Sequence, residues 1–356
     1  MISPRSVAIP RRGESVASPR RSHAPLILLY HRIADDRCDP LLLCVSRARF
    51  ADHMDAIRRA HRIIALRDLV AGMESAAVPD RAVVITFDDG YADNLTHALP
   101  VLNQFGAPAT IFVASAAVGC PYGFWWDELE AIILRSAIRA PVLRLTIDGQ
   151  GHEWSLCDDF SGKAKTPGRG ESTSDDAWNV LSPDDPTRSH SVYRQLFDLI
   201  RPLPVAARND VLDQLRNWSG AGDRQGATNL ALDPDQLCKL ARNENVEIGA
   251  HTVNHPVLGT LSPSAALREI AEGKQQLEHL LGRTVTSFAY PFGTRRDYRS
   301  EHVAMVQNAG FSSACSNFPG VVTPDGDRRQ WPRVLVRDWD ADTLLRHIDE
   351  VLLAAC

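Results

Sequence analysis

The chain of 356 residues lacks any stretch approaching the roughly 18 uncharged apolar residues of a membrane-spanning helix, and its first 24 residues lack the apolar core of a secretory signal. A helical membrane protein is thereby excluded, and export by the usual route is not expected. Cysteine is present but poorly arranged for structure. Cys38, Cys44, Cys120, Cys157, Cys238, Cys315 and Cys356 are odd in number and contain no Cys-x-x-Cys pair, so neither a disulfide framework nor a cysteine zinc site is expected. Reduced thiols in a cytoplasm fit that usage. An excess of positive charge is also missing. With 39 Lys and Arg against 44 Asp and Glu, the formal charge is -5, which leaves no electrostatic footprint for nucleic acid. Hydrophobic residues at 44% and charged residues at 23% are those of an ordinary globular chain.

Residues 1–24 carry Arg5, Arg11, Arg12, Arg20 and Arg21 among Ser, Pro and Ala, with Glu14 the only acid. This reads as a disordered tail, with contact to an anionic membrane surface as the alternative. From residue 25 onward, short apolar runs alternate with amphipathic stretches, the pattern of an α/β fold with a mostly parallel sheet. Strands are predicted at 26–30, 62–66, 83–87, 110–113, 246–250, 286–289, 312–315 and 333–336. Asp233-Pro234 and Ser262-Pro263 each place a capping side chain before a proline at the first helical position, and Gly282 stops the 264–281 helix. Phe50, Met54 and Ile57 give the 46–60 segment one buried face. Between 119 and 230 the rhythm breaks. A helix at 127–139, a hairpin about Asp148-Gly149, a mobile loop over 158–190 and two helices at 191–217 are expected there. The chain thus divides into the tail, a barrel from 25–118 and 231–356, and an insertion from 119–230.

The chemistry concentrates at two strand ends. The 83–87 run ends at Asp88-Asp89-Gly90, and the 246–250 run ends at His251-Thr252-Val253-Asn254-His255. In parallel α/β folds, active sites gather at the carboxyl ends of strands. An aspartate and two histidines can hold one divalent metal with coordination sites left open, while the neighbouring aspartate stays free to accept a proton. Pro256 disfavours a helical conformation at His255, so one tight turn is expected to present both imidazoles.

Thr86-Phe87-Asp88-Asp89-Gly90 together with His251-Thr252-Val253-Asn254-His255 resembles the first two motifs of the polysaccharide deacetylase family, also called carbohydrate esterase family 4 or the NodB homology domain. The resemblance covers roughly 25–118 and 240–340. It implies a distorted (β/α)7 barrel and removal of an N-acetyl group from an amino sugar. It implies further that Asp88 is the general base and that Asp89, His251 and His255 hold the metal. Zinc is the default for such a set, and other first-row divalent ions also suit mixed N/O ligands.

Three further matches follow from the resemblance. Tyr290-Pro291-Phe292-Gly293 is similar to the third motif, with the Phe292 N–H as oxyanion donor; the arginine that many members carry just before it, to orient the aspartate, is absent here. Leu29-Tyr30-His31 resembles the Leu-x-His motif of the general acid, which comes first only in a circularly permuted subset. Leu345-Arg346-His347 is its competitor, on a terminal helix. Arg337-Asp338-Trp339-Asp340 resembles the fourth motif, with Trp339 lining the acetyl pocket, although a helix capped by Asp340 explains the same residues. Trp125-Trp126 suits either sugar stacking or the anchoring of a subdomain. Related amidases on formamido sugars or cyclic amides, and a non-catalytic carbohydrate-binding relative, are the rival functions.

Overall fold

The computed structural model describes residues 24–36, 38–136, 140–156, 178–220 and 229–355. The Arg-rich tail through residue 23, Cys157, positions 158–177 of the expected loop, and Cys356 lie outside them. Along the chain, β1 (Leu26–Tyr30) is followed by the short pair β2 (Arg32–Ile33) and β3 (Cys44–Val45), then α1 (Arg47–Ala60), β4 (Arg62–Ile63), α2 (Leu66–Ser75) and β5 (Ala82–Phe87). A π-helical turn at Asn94–Ala98 leads into α3 (Leu99–Phe105) and β6 (Ala109–Val113). Next come α4 (Trp125–Glu130), the antiparallel hairpin β7 (Val142–Ile147) and β8 (Gln150–Ser155), α5 (Arg188–Ile200) and α6 (Val205–Ser219). The parallel rhythm resumes with α7 (Pro234–Ala241), β9 (Val246–Ala250), α8 (Pro263–Leu281), β10 (Ser287–Ala289), α9 (Ser300–Asn308), β11 (Ser313–Cys315), β12 (Val334–Leu335) and α10 (Ala341–Ala354).

Seven parallel strands form a curled half-barrel in the order β11-β10-β9-β6-β5-β1-β12, with β4 attached to β5 off this path. β1, β5 and β6 are buried at every position, as strands covered on both faces must be. Alternation assigns the faces. Ile27, Val84, Phe112, Ala289, Cys315 and Trp331 cluster on one side, while Leu26, Leu28, Ile85, Ile111 and Ile248 pack with the helices on the other. Residues 328–331 run beside β11, where the Ala314 N–H donates to the Arg328 carbonyl and the Trp331 N–H to that of Ala314. That segment feeds β12, so backbone spans the space between the sheet's two edges. A separate core of Phe124, Trp125, Trp126, Tyr193, Leu196 and Leu215 holds α4, α5, α6 and the hairpin together, and Trp178 joins it.

The expected strand over 62–66 ends at Ile63, because Leu66 and Leu69 are the first buried positions of α2. The expected 127–139 helix starts two residues earlier, at Trp125, and passes into a π-helical turn at Ala131–Arg135. The caps at Asp233, Ser262 and Gly282 are all formed.

Candidate active site

Four strand ends converge. β5 delivers Asp88 and Asp89, β9 delivers the histidine turn, β10 leads to Phe292 and β1 leads directly to His31. The backbone there is strained. Asp89, Thr252, His255 and Phe292 all adopt positive φ, between 52° and 74°. Such angles are uncommon outside glycine, and for a β-branched residue such as Thr252 they persist only where the surroundings impose them. Those surroundings are visible. Gly273 of α8 lies so close that a Cβ on it would sit 2.7 Å from the Thr252 carbonyl carbon. From the same helix, the Glu269 carboxylate accepts the N–H groups of Val253 at 3.0 Å and Asn254 at 2.8 Å. The His255 N–H closes the turn on Thr252 Oγ1 at 3.1 Å.

Within the site, Asp89 Oδ1 is 3.3 Å from His255 Nε2 and 3.6 Å from His251 Nε2, and all three side chains are buried. His251 donates its Nδ1–H to the Ala289 carbonyl at 2.7 Å, which fixes the tautomer and leaves Nε2 a bare acceptor. Burial holds both imidazoles below their usual pKa, His255 most strongly, because a proton there would also be repelled by a protonated His251 and by the Arg208 guanidinium. Both are therefore uncharged at neutral pH. Asp89 is pushed well above the carboxylate range by burial first, then by Asp88 and Asp127, and its Oδ1 has no hydrogen-bond partner. Two neutral imidazole nitrogens facing an uncompensated carboxylate oxygen form a donor set that a divalent cation fits.

Asp88 turns to a different partner. Arg333, fully buried, donates to both of its carboxylate oxygens at 2.7 Å, a bidentate pair. Burial would raise the Asp88 pKa, but the charge and hydrogen bonds of Arg333, with His251 and His31 nearby, outweigh it and hold the group below the usual range. Arg333 is fixed in turn by Ser316 O at 2.7 Å and Thr86 Oγ1 at 3.2 Å. The orienting arginine that the sequence reading found absent before Tyr290 therefore stands at 333, just ahead of β12. Its signal was a single charge inside the otherwise apolar run Trp331-Pro332-Arg333-Val334-Leu335.

Other expected residues fall on both sides. His31 is half-buried beside Asp88; burial lowers its pKa to about 4, with Asp88 opposing. His347 lies on the exposed face of α10, paired with Glu350 at 3.1 Å and stacked on Trp339 with ring centroids 4.2 Å apart. Trp339 makes that stack and accepts a hydrogen bond from His53 on its carbonyl, and Asp340 caps α10, so the structure does not bring the Asp-Trp pair to the cluster. Tyr290 also turns away, stacking on Tyr298 at 3.9 Å and donating its hydroxyl to the Arg329 carbonyl. The Phe292 ring lies 4.8 Å from His255, and its N–H donates to no described residue. Trp126 packs 4.9 Å from His255, and Trp125 stacks on Phe197. The tryptophan pair thus joins the second core to the cluster. Sequence reasoning missed Asp127, whose carboxylate accepts the Tyr91 hydroxyl at 2.8 Å while Trp126 Nε1 donates to Tyr91. Burial raises Asp127 to about 6.

The polysaccharide deacetylase family model matches residues 75–135 and 184–314, more than half of the chain. YxkH of Bacillus subtilis (strain 168) is 29% identical over 106 residues, which is 29% of this chain and 37% of that protein. A gellan lyase of a Bacillus species is 41% identical over 71 residues but is matched over only 3% of its length. The chain thus spans well under half of these curated relatives. Among solved structures, the fold is shared with deacetylase PplD of Streptococcus pyogenes (TM-score 0.54, 15% identity, covering 91% of this chain and 98% of that one). It is shared also with IcaB of Ammonifex degensii (TM-score 0.55, 17% identity, 94% and 98%). The chain belongs to the polysaccharide deacetylase family.

Proposed function

We propose that this site hydrolyses the acetamide of an N-acetylated amino sugar in an oligosaccharide, polysaccharide or glycoconjugate precursor, with Asp89, His251 and His255 holding one divalent metal. The observation that supports this most is the division of labour between adjacent aspartates: Asp89 faces the Nε2 atoms of two imidazoles, while Asp88 is clamped by Arg333. A bound metal, zinc by default and another first-row divalent ion otherwise, supplies Lewis acidity toward the acetyl carbonyl and toward water. Asp88, kept ionised by Arg333, takes the proton of the attacking water. The N–H of Phe292 donates to the oxyanion that develops on the former carbonyl. His31 passes a proton to the departing amine. Burial lowers its pKa to about 4, so at neutral pH His31 is uncharged and must take up a proton before it can act; Asp88 beside it favours the imidazolium. With His31 directly after β1, the general acid precedes the other motifs, as in the circularly permuted subset. In this reading 25–118 and 231–356 form the catalytic barrel, and the 119–230 insertion shapes the substrate cleft.

The test is metal analysis of the purified protein combined with acetate release from N-acetylglucosamine oligomers of increasing length. One bound divalent ion and chelator-sensitive acetate release are expected. Asp88→Asn retains the metal and loses turnover, whereas His255→Ala loses the metal; near-normal activity in Asp88→Asn would rule out the assigned base. Release of formate in place of acetate from matched substrates would move the assignment to a formamido sugar.

A further inference from the structure

Beside the histidine turn, α4 and α6 wall a cavity of about 340 Å³ whose far side includes Val253 and Asn254. Arg208 of α6 lines it and is only 6% exposed. Its guanidinium makes one hydrogen bond, from Nη2 to the Asn254 carbonyl at 3.0 Å. Nε is buried without a partner, and among the described residues no carboxylate lies within ion-pair reach. Two turns along the same helix, Arg216 shows the ordinary solution: Glu128 accepts from it at 2.6 and 2.7 Å. Burial lowers the Arg208 pKa to about 10, with Glu269 opposing, so the group remains cationic at neutral pH. A buried charge left unpaired is costly, and it persists where a ligand supplies the missing partner.

A second orphan lines the same cavity. Trp125, also 6% exposed, has an Nε1–H with no partner, and Arg208 lies over its ring at 5.8 Å. Both unsatisfied groups are donors, and no buried acceptor lining the cavity is left unsatisfied. Glu128 and Asp213 also line the cavity, but both are paired with Arg216, so the groups left free to meet a ligand are the donors of Arg208 and Trp125, whose complement is an oxyanion.

We infer that this cavity binds an anionic oxygen group of the substrate, a carboxylate or a phosphate, through Arg208 and Trp125. Val253 and Asn254 separate the two histidines in sequence, so the anion belongs to a part of the ligand next to the reacting acetamide. Calling the ligand a substrate rests on the deacetylase reading; the anion preference of the cavity does not.

The experiment compares three disaccharides of N-acetylglucosamine: a neutral one, one carrying a uronic acid carboxylate and one carrying a phosphate ester. The wild type is expected to prefer one anionic form over the neutral one by about 10- to 100-fold, through KM, the range of a charge-assisted hydrogen bond. The carboxylate and phosphate arms identify the source. Arg208→Gln collapses that preference to about onefold, and Arg208→Lys restores part of it. Inorganic phosphate titrated calorimetrically into the metal-loaded protein reports a binding event in the wild type that Arg208→Gln lacks. In the ligand-free protein Arg208→Met raises Tm, because it removes an unpaired buried charge. An unchanged anionic-to-neutral ratio in Arg208→Gln overturns the inference, as does a lowered Tm in Arg208→Met with phosphate binding intact, the mark of an arginine that only braces Asn254. Phosphate binding that depends on Arg208, without acetate release from any substrate, would refute the deacetylase reading and leave the anion site standing.

Discussion

Asp88 and Asp89 are adjacent and chemically identical, yet their surroundings drive their pKa values apart: the pair with Arg333 lowers one, while burial raises the other. Such divergence is how two like groups acquire two roles. Arg333 is therefore the residue on which the proposed base depends. Arg333→Met leaves a buried carboxylate without its partner, and a stability loss of about 3–5 kcal/mol is expected by denaturant unfolding. Adding Asp88→Asn to that variant should return part of the loss, because no charge then remains to be paired. The sign for activity follows from the same pair. With its partner gone, the Asp88 pKa rises, so the acid limb of the kcat/KM profile moves to higher pH in Arg333→Met. A limb that stayed in place while activity fell would show that Arg333 supports the fold without setting the charge of Asp88.

At the scale of elements, the histidine turn exists because α8 presents a glycine where the Thr252 backbone passes. Gly273→Ala puts a Cβ 2.7 Å from the Thr252 carbonyl carbon, and backbone cannot yield as a flexible side chain does. A loss of about 1–3 kcal/mol is expected from overpacking, with metal affinity falling at least about tenfold because the turn that presents His251 and His255 moves. Gly282→Ala on the same helix is the control. It occupies a left-handed cap with open space around it, so it costs about 1 kcal/mol and leaves metal affinity alone. Equal metal affinity in both variants would show that the turn holds its shape without α8. The strand ends that carry Asp88, Asp89, His251 and His255 were legible in the sequence because buried parallel strands read as unbroken apolar runs with polar residues directly after them. Arg333 was not legible as the partner of Asp88. That role requires residue 333 to lie against strand ends 247 and 17 residues away, at Thr86 and Ser316, and no local pattern reports such proximity. Tyr290 and Trp339 each sit in a fitting motif, but their rings stack on Tyr298 and His347, eight positions further along the chain, contacts that the motif itself does not report.

For the whole molecule, the second core is tied to the half-barrel through an arginine at its rim that reaches a buried carboxyl. Arg135, after α4, bridges Glu130 and Asp36, the latter just beyond β2. Glu130 is buried, and burial raises its pKa from 4.5 to about 7 although Arg135 opposes the rise. In the folded state it thus keeps its proton over a range in which the unfolded chain has released it. Between about pH 4.5 and 7 the unfolded state binds fewer protons, so folding stability falls as pH rises through that window and is flat above it. A shift of this size corresponds to about 3 kcal/mol between the two ends, at roughly 1.4 kcal/mol per pKa unit. Glu130→Gln keeps an acceptor for Arg135 without a charge to bury. Urea midpoints measured from pH 5 to pH 8 should decline less steeply in this variant than in the wild type, and the two curves should diverge most at pH 8. Parallel curves would mean that Arg135 neutralises Glu130 fully, and that the contact between the second core and the half-barrel carries no pH dependence of its own.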